Sequence, residues 1–174
     1  MVKAVRTGYI IMSVIFCISG LACMFISEIP CFQLCIFSGI ILAVYGVIKI
    51  LGYISKDLYC FAFQYDLACG LFIIVLGIIV IAYNYKIRKY MAAGMGGLIL
   101  LDSLLTVQMS LEAKEFGIKT WGVMLALAVA AGTMGVLIII NPFGKIEYLH
   151  LLEGLGLWLE SAMKYCVVKF TVKI

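Results

Sequence analysis

Apolar residues gather into six runs, approximately 9–26, 32–54, 65–83, 90–110, 120–140 and 148–170. The polar breaks between them read SEIPC, SKDLYCFAFQ, NYKIRK, LEAKEFGIK and NPFGKIE, and none is long enough to build a soluble domain. An α-helix needs about 20 apolar residues to cross the hydrocarbon core, because it rises 1.5 Å per residue. Each run meets that length. Pro30 and Asn141-Pro142 fall in breaks, where proline ends a helix by removing a donor and clashing with the preceding turn. The pattern predicts an all-α membrane protein with six transmembrane helices.

A repeat organises the runs. With the chain shifted by 57 or 58 residues its small residues coincide: Ser13, Gly70 and Ala128, then Gly20, Gly77 and Gly135. Next come Gly39, Gly96 and Gly154, then Gly46, Ser103 and Ser161. The turns at Pro30, Asn84-Tyr85 and Asn141-Pro142 fall close to register. The repeating unit is a helical hairpin, present three times at approximately 9–56, 65–112 and 120–170 within a single integral membrane domain, 1–174. Lys3 and Arg6 ahead of the first run resemble the start of a signal peptide. The repeat assigns that run to the fold, so it is expected to be retained.

Small residues at matched helix positions have a physical use. Lipid supplies no hydrophobic drive between helices, so association depends on close backbone approach. Gly20, Gly77, Gly135, Gly39, Gly96 and Gly154 are therefore expected at helix contacts, and Ala92 with Gly96 and Ala128 with Gly132 have small-xxx-small spacing. The stretch AAGMGG, 92–97, presents small residues on several faces.

Composition agrees with this picture. The chain is 66% hydrophobic and 13% charged, with a mean hydropathy of +1.19, against about half and a quarter for soluble domains. The net charge of +4 suits a protein beside anionic lipid and is too small to suggest nucleic acid. Seven cysteines form no CxxC, and the single histidine, His150, is remote from them in sequence. No metal site or cofactor is expected. HExxH, GxxxxGK[ST], GxSxG and an acidic calcium loop are absent from the sequence, so no catalytic residue is assigned. Tyr9, Tyr53, Tyr59, Tyr83, Tyr85, Tyr90, Tyr148 and Trp121 sit near run ends, where amphipathic rings suit the headgroup zone.

Orientation follows the basic residues. With six spans, the termini share a side with nine of them, Lys3, Arg6, Lys49, Lys56, Lys114, Lys119, Lys164, Lys169 and Lys173. Lys86, Arg88, Lys89 and Lys145 lie on the other. Both termini are expected to be cytoplasmic. The YKIRK cluster runs against that rule locally and could touch anionic headgroups. The lipid bilayer is the expected partner; a homo-oligomer is compatible with the sequence, and no protein partner can be named.

The repeat resembles the HdeD family of small bacterial membrane proteins. Gly20, Pro30, Gly39 and Gly46 carry the resemblance in the first copy, and Gly135, Asn141-Pro142 and Gly154 in the third. The middle copy has NYK where a proline is expected, and Ser103 and Ser161 replace the second glycine. The resemblance implies an inner-membrane fold built from a short repeat of unknown function and an association with acid resistance, with no catalytic site.

One charge stands out. Asp102 lies in the apolar run, ten residues from Glu112 and thirteen from Lys89. A carboxylate facing lipid costs a few kcal/mol on insertion scales, so Asp102 is expected inside the bundle or at a wet cavity. The register places Tyr45, Asp102 and Glu160 at one position, with Lys49, Thr106 and Lys164 one turn later. Glu160 and Lys164 can pair along their own helix and are expected to snorkel near the cytoplasmic interface. Tyr45, Lys49, Glu160 and Lys164 are the candidate partners of Asp102. Burial would favour its neutral form and a nearby lysine its carboxylate. The first outcome gives a titrating sensor or relay, the second a structural tie. His150 and Glu153, three apart, are a lesser candidate pair.

These features predict a non-enzymatic multi-pass protein linked to acid or envelope stress. The alternative is a small channel or transporter for protons or a small solute, with Asp102 and Glu160 lining its path.

Overall fold

The computed structural model describes residues 2–25, 31–54, 66–82, 90–141 and 146–171. Among these the chain is helical, with six α-helices joined without strands. They are α1 (Val2–Phe25), α2 (Cys31–Ile54), α3 (Asp66–Ala82), α4 (Met91–Glu115), α5 (Trp121–Ile140) and α6 (Ile146–Thr171). Four stretches are long and apolar enough to cross a membrane: Arg6–Phe25, Ile36–Ile54, Met91–Glu115 and Trp121–Ile140. α3 is apolar but shorter, at 17 residues, and α6 has length enough but carries Glu153, Glu160 and Lys164 inside one span's reach.

The helices bury polar side chains beside an apolar core and expose many large apolar ones, unlike a water-soluble fold. In α4 the buried positions include Asp102, Ser103, Thr106 and Ser110, while Leu104 and Leu111 are exposed. In α1, Ile11, Val14, Ile18 and Leu21 form an exposed apolar stripe at helical spacing. Such a surface is stable only against hydrocarbon, and it marks the protein as membrane-embedded.

The described residues fall into two compact units. In the first, α2 packs along α3 with the opening turns of α1. A Cβ on Gly46 would stand 2.7 Å from the Gly70 carbonyl, and one on Gly70 2.8 Å from that of Gly46. Gly39 and Gly77 repeat the arrangement two turns away, at 3.0 and 2.8 Å.

The second unit holds the rest of α1 with α4, α5 and α6. Its core joins Ile99, Ala128, Ala131, Ile138, Leu152 and Met163. Gly96 of α4 and Gly135 of α5 approach reciprocally, each missing Cβ 2.8 Å from the other's carbonyl. Gly20 of α1 and Gly154 of α6 do the same at 2.7 Å. The recurrent close pair therefore joins α2 to α3, α4 to α5, and α6 to α1.

Two described helix ends have evident stops. Gly117, at φ +72°, follows α4. Its N–H donates to the Lys114 carbonyl and that of Ile118 to the Ala113 carbonyl, both at 3.0 Å. That pair of bonds caps the helix with a left-handed glycine. Asn141 ends α5 in the left-handed region, donating to Leu137 at 2.9 Å, immediately before Pro142. The turns at Pro30 and Asn84-Tyr85, Pro142 itself and the YKIRK cluster lie outside the described residues.

Candidate functional site

The candidate site belongs to the second unit and is assembled by α1, α4 and α6. Helix α6 places Glu160 and Lys164 one turn apart on one face. The Lys164 ammonium reaches Asp102 Oδ2 on α4 at 2.5 Å and lies 2.7 Å from Glu160 Oε1. All three side chains are buried: Asp102 is 8% exposed, Glu160 3% and Lys164 6%. The position that needed a partner thus finds one in Lys164, and Glu160 and Lys164 do not snorkel outward. Their chain length instead carries the charges toward α4, where a counter-charge is available.

From α1 the Phe16 ring lies 5.8 Å from Lys164 Nζ, within reach of a cation–π attraction. Beside it, Ser13 and Ser161 exchange hydrogen bonds between α1 and α6. Ser13 Oγ donates to the Ser161 carbonyl at 2.8 Å, and Ser161 Oγ to that of Ser13 at 2.7 Å. Ser13 and Ser161 occupy the register positions that Gly70 and Gly46 fill in the α2–α3 pair. A hydroxyl exchange therefore stands where the other pair has a bare glycine contact. The remaining hydroxyls near the cluster bond within their own helix: Thr106 to the Asp102 carbonyl at 2.9 Å and Ser103 to that of Leu100 at 2.7 Å. This is how a helix in an apolar medium satisfies such groups.

Tyr45 and Lys49 lie in the first unit, both buried, with Lys49 Nζ 5.2 Å from the centre of the Tyr45 ring. His150 and Glu153 meet within α6, Nδ1 to Oε2 at 3.3 Å, with His150 the more exposed. Among the run-end aromatics, Tyr53, Tyr90 and Tyr148 are exposed as expected of headgroup anchors, and Lys114 lies over the Trp121 ring at 4.8 Å. Tyr9 is buried instead, because it shares the inward stripe of Met12, Ser13 and Phe16. Among the described residues no group of three His, Cys, Asp or Glu side chains could hold a metal ion.

In the sequence Ser13 and Ser161 stand out only as small residues, and Phe16 does not stand out. The available signal is that, at these two register positions, hydroxyls occur together only in α1 and α6, the helices that exchange them. Replacing Ser13 by Ala is expected to lower stability by about 1 kcal/mol or less, since hydrogen bonds between membrane helices average about 0.6 kcal/mol. Heat-stability midpoints in detergent for Ser13→Ala, Ser161→Ala and the double variant would check this. The double should lose close to the sum of the two singles, because each hydroxyl donates to a backbone carbonyl that the other substitution leaves in place.

Chemically, the cluster can hold an ammonium between two carboxyl groups and fix α4 to α6. No curated protein and no solved structure matches the chain. Residues 11–82, from within α1 to the end of α3, match the family model described as a short repeat of unknown function (DUF308).

Proposed function

We propose that the chain is a non-enzymatic, HdeD-like protein of the bacterial inner membrane, linked to acid or envelope stress. In this reading residues 1–174 form one integral membrane domain, all six helices span, and the sequence repeats as three hairpins at 9–56, 65–112 and 120–170. The observation that carries it is the burial pattern of α4 and α6, with Asp102, Glu160 and Lys164 inside and Leu104, Leu111, Leu151 and Trp158 outside. An ion pair closed between two helices supports a structural tie better than a reactive cleft. In this reading α6 spans with Glu160 and Lys164 buried against Asp102, and the excess of basic residues on one side assigns both termini to the cytoplasm. Lipid is its main partner, with self-association and an unidentified protein partner compatible; nucleic acid and cofactors play no part. The stress association rests on the resemblance of the glycine and proline register to the HdeD family.

A second reading is conduction of protons or a small solute through the bundle. The observation favouring it is Glu160 Oε2, buried without a hydrogen bond from a donor among the described residues. Ion flux in proteoliposomes across an imposed pH step, wild type beside Asp102→Asn, separates the two. The structural reading expects no flux in either and a less heat-stable variant. Flux in wild type that collapses in a folded variant would replace it with conduction. Survival of a deletion strain after acid challenge, with and without the restored gene, tests the stress association separately.

A further inference from the structure

The two carboxyl groups around Lys164 are not equivalent. Lys164 Nζ donates a hydrogen bond to Asp102 Oδ2. Glu160 Oε1 is close to the same nitrogen, at 2.7 Å, but the alignment that a hydrogen bond requires is missing. Glu160 Oε2 accepts no hydrogen bond from a donor among the described residues. Bonds to the charged form are what keep a buried carboxylate ionised, and a carboxylate without them is costly in an apolar interior. Asp102 holds the aligned, charge-assisted bond that an anion needs. Glu160 has proximity without it.

We propose that the cluster is a proton-binding site, with the proton on Glu160 and the ionised partner of Lys164 being Asp102. A protonated carboxyl presents one O–H donor and keeps a carbonyl oxygen toward the ammonium. That matches one oxygen near Nζ and one oxygen left over. A proton also suits the donor set better than a metal cation, because the ammonium already occupies the space between the carboxyls and hard cations demand several oxygens. The charged groups around Glu160 are Asp102 from α4 and Lys164 from its own helix, and Lys164 in turn lies against the Phe16 ring of α1. α5 contains no acidic or basic residue or histidine.

The site has a built-in consequence. When the proton leaves, Glu160 becomes a second anion competing for Lys164. The ammonium can then divide between a partner on α4 and one on its own helix, and the tie between α4 and α6 loosens. Proton occupancy therefore sets how firmly the two helices are joined. This inference rests on neither functional reading, since a structural tie and a conducting path could both contain such a proton.

Infrared spectroscopy of the purified protein in lipid nanodiscs at neutral pH tests it directly. The carbonyl stretch of a protonated carboxyl group is expected in wild type. It should move when glutamate carboxyls carry a heavy-carbon label, stay put when aspartates carry it, and vanish in Glu160→Gln. Three results would overturn the proposal: no protonated-carboxyl band, a band that moves with labelled aspartate, or a glutamate band that survives in Glu160→Gln. The labelling arms use only wild type, so the proposal remains exposed even if the variant fails to fold. A protonated Glu160 with no ion flux would leave the structural reading of the protein intact.

Discussion

Lys164→Met is expected to be among the most damaging single substitutions in the second unit, lowering stability by about 3–5 kcal/mol. The side chain keeps its length and loses its charge, so the packing against Phe16 changes little. What disappears is the nitrogen 2.5 Å from Asp102 and 2.7 Å from Glu160. Breaking a buried pair leaves charge without compensation, and that penalty exceeds the net worth of the intact pair. Polar contacts between membrane helices average only about 0.6 kcal/mol, because the unfolded helices find other partners within the lipid. The loss should therefore lie toward the lower end of the range. A triple variant, Lys164→Met with Asp102→Asn and Glu160→Gln, separates the two effects. It removes the ammonium and both carboxyl groups at nearly constant shape and should recover most of the stability lost by Lys164→Met alone. Heat-stability midpoints of the single, the triple and wild type in one detergent check the claim. A triple variant no better than the single would mean that the ammonium acts through packing.

The helices and the need of Asp102 for company were both readable in the sequence. Run length gave the first, and an acid far from any other charge gave the second. The identity of its partner was not readable. Spacing along α6 pairs Glu160 with Lys164 by helix geometry alone. The contact from Lys164 to Asp102 depends on how α4 and α6 are rotated and which helices adjoin, and neither is encoded by spacing. Lys49 shares the register of Lys164, so the repeat made them equal candidates. In α2, Lys49 lies over Tyr45, whereas α6 places Glu160 at that register position. Register could also align Gly20 with Gly77 and Gly135 without stating what each touches. The facing pairs became visible only with the backbones in place. AAGMGG shows the limit most plainly: its glycines look interchangeable in sequence, and one of them carries a helix contact.

That difference gives the second large effect. Gly96→Ala is expected to destabilise the protein by about 1–3 kcal/mol, the usual range for forcing atoms into a filled interface. The added methyl would stand 2.8 Å from the Gly135 carbonyl and 3.0 Å from Ile139 Cγ1. A carbonyl held in a helix cannot turn aside, so α4 and α5 would have to separate, loosening packing along their length. Gly94→Ala and Gly97→Ala, on the same helix, meet nothing within 4 Å. There the new side chain faces open space, and alanine is favoured over glycine within a helix by about 0.5–1 kcal/mol. Both should be neutral or slightly stabilising. Gly135→Ala should repeat the Gly96 result from the other side of the same contact, and Gly96→Ala with Gly135→Ala should cost less than the sum of the two, because the first separation of the helices already makes room for the second methyl. Midpoints for the five variants would check the series. Equal losses at Gly94, Gly96 and Gly97 would show that helix propensity or lipid contact, rather than the approach of α4 to α5, governs these positions.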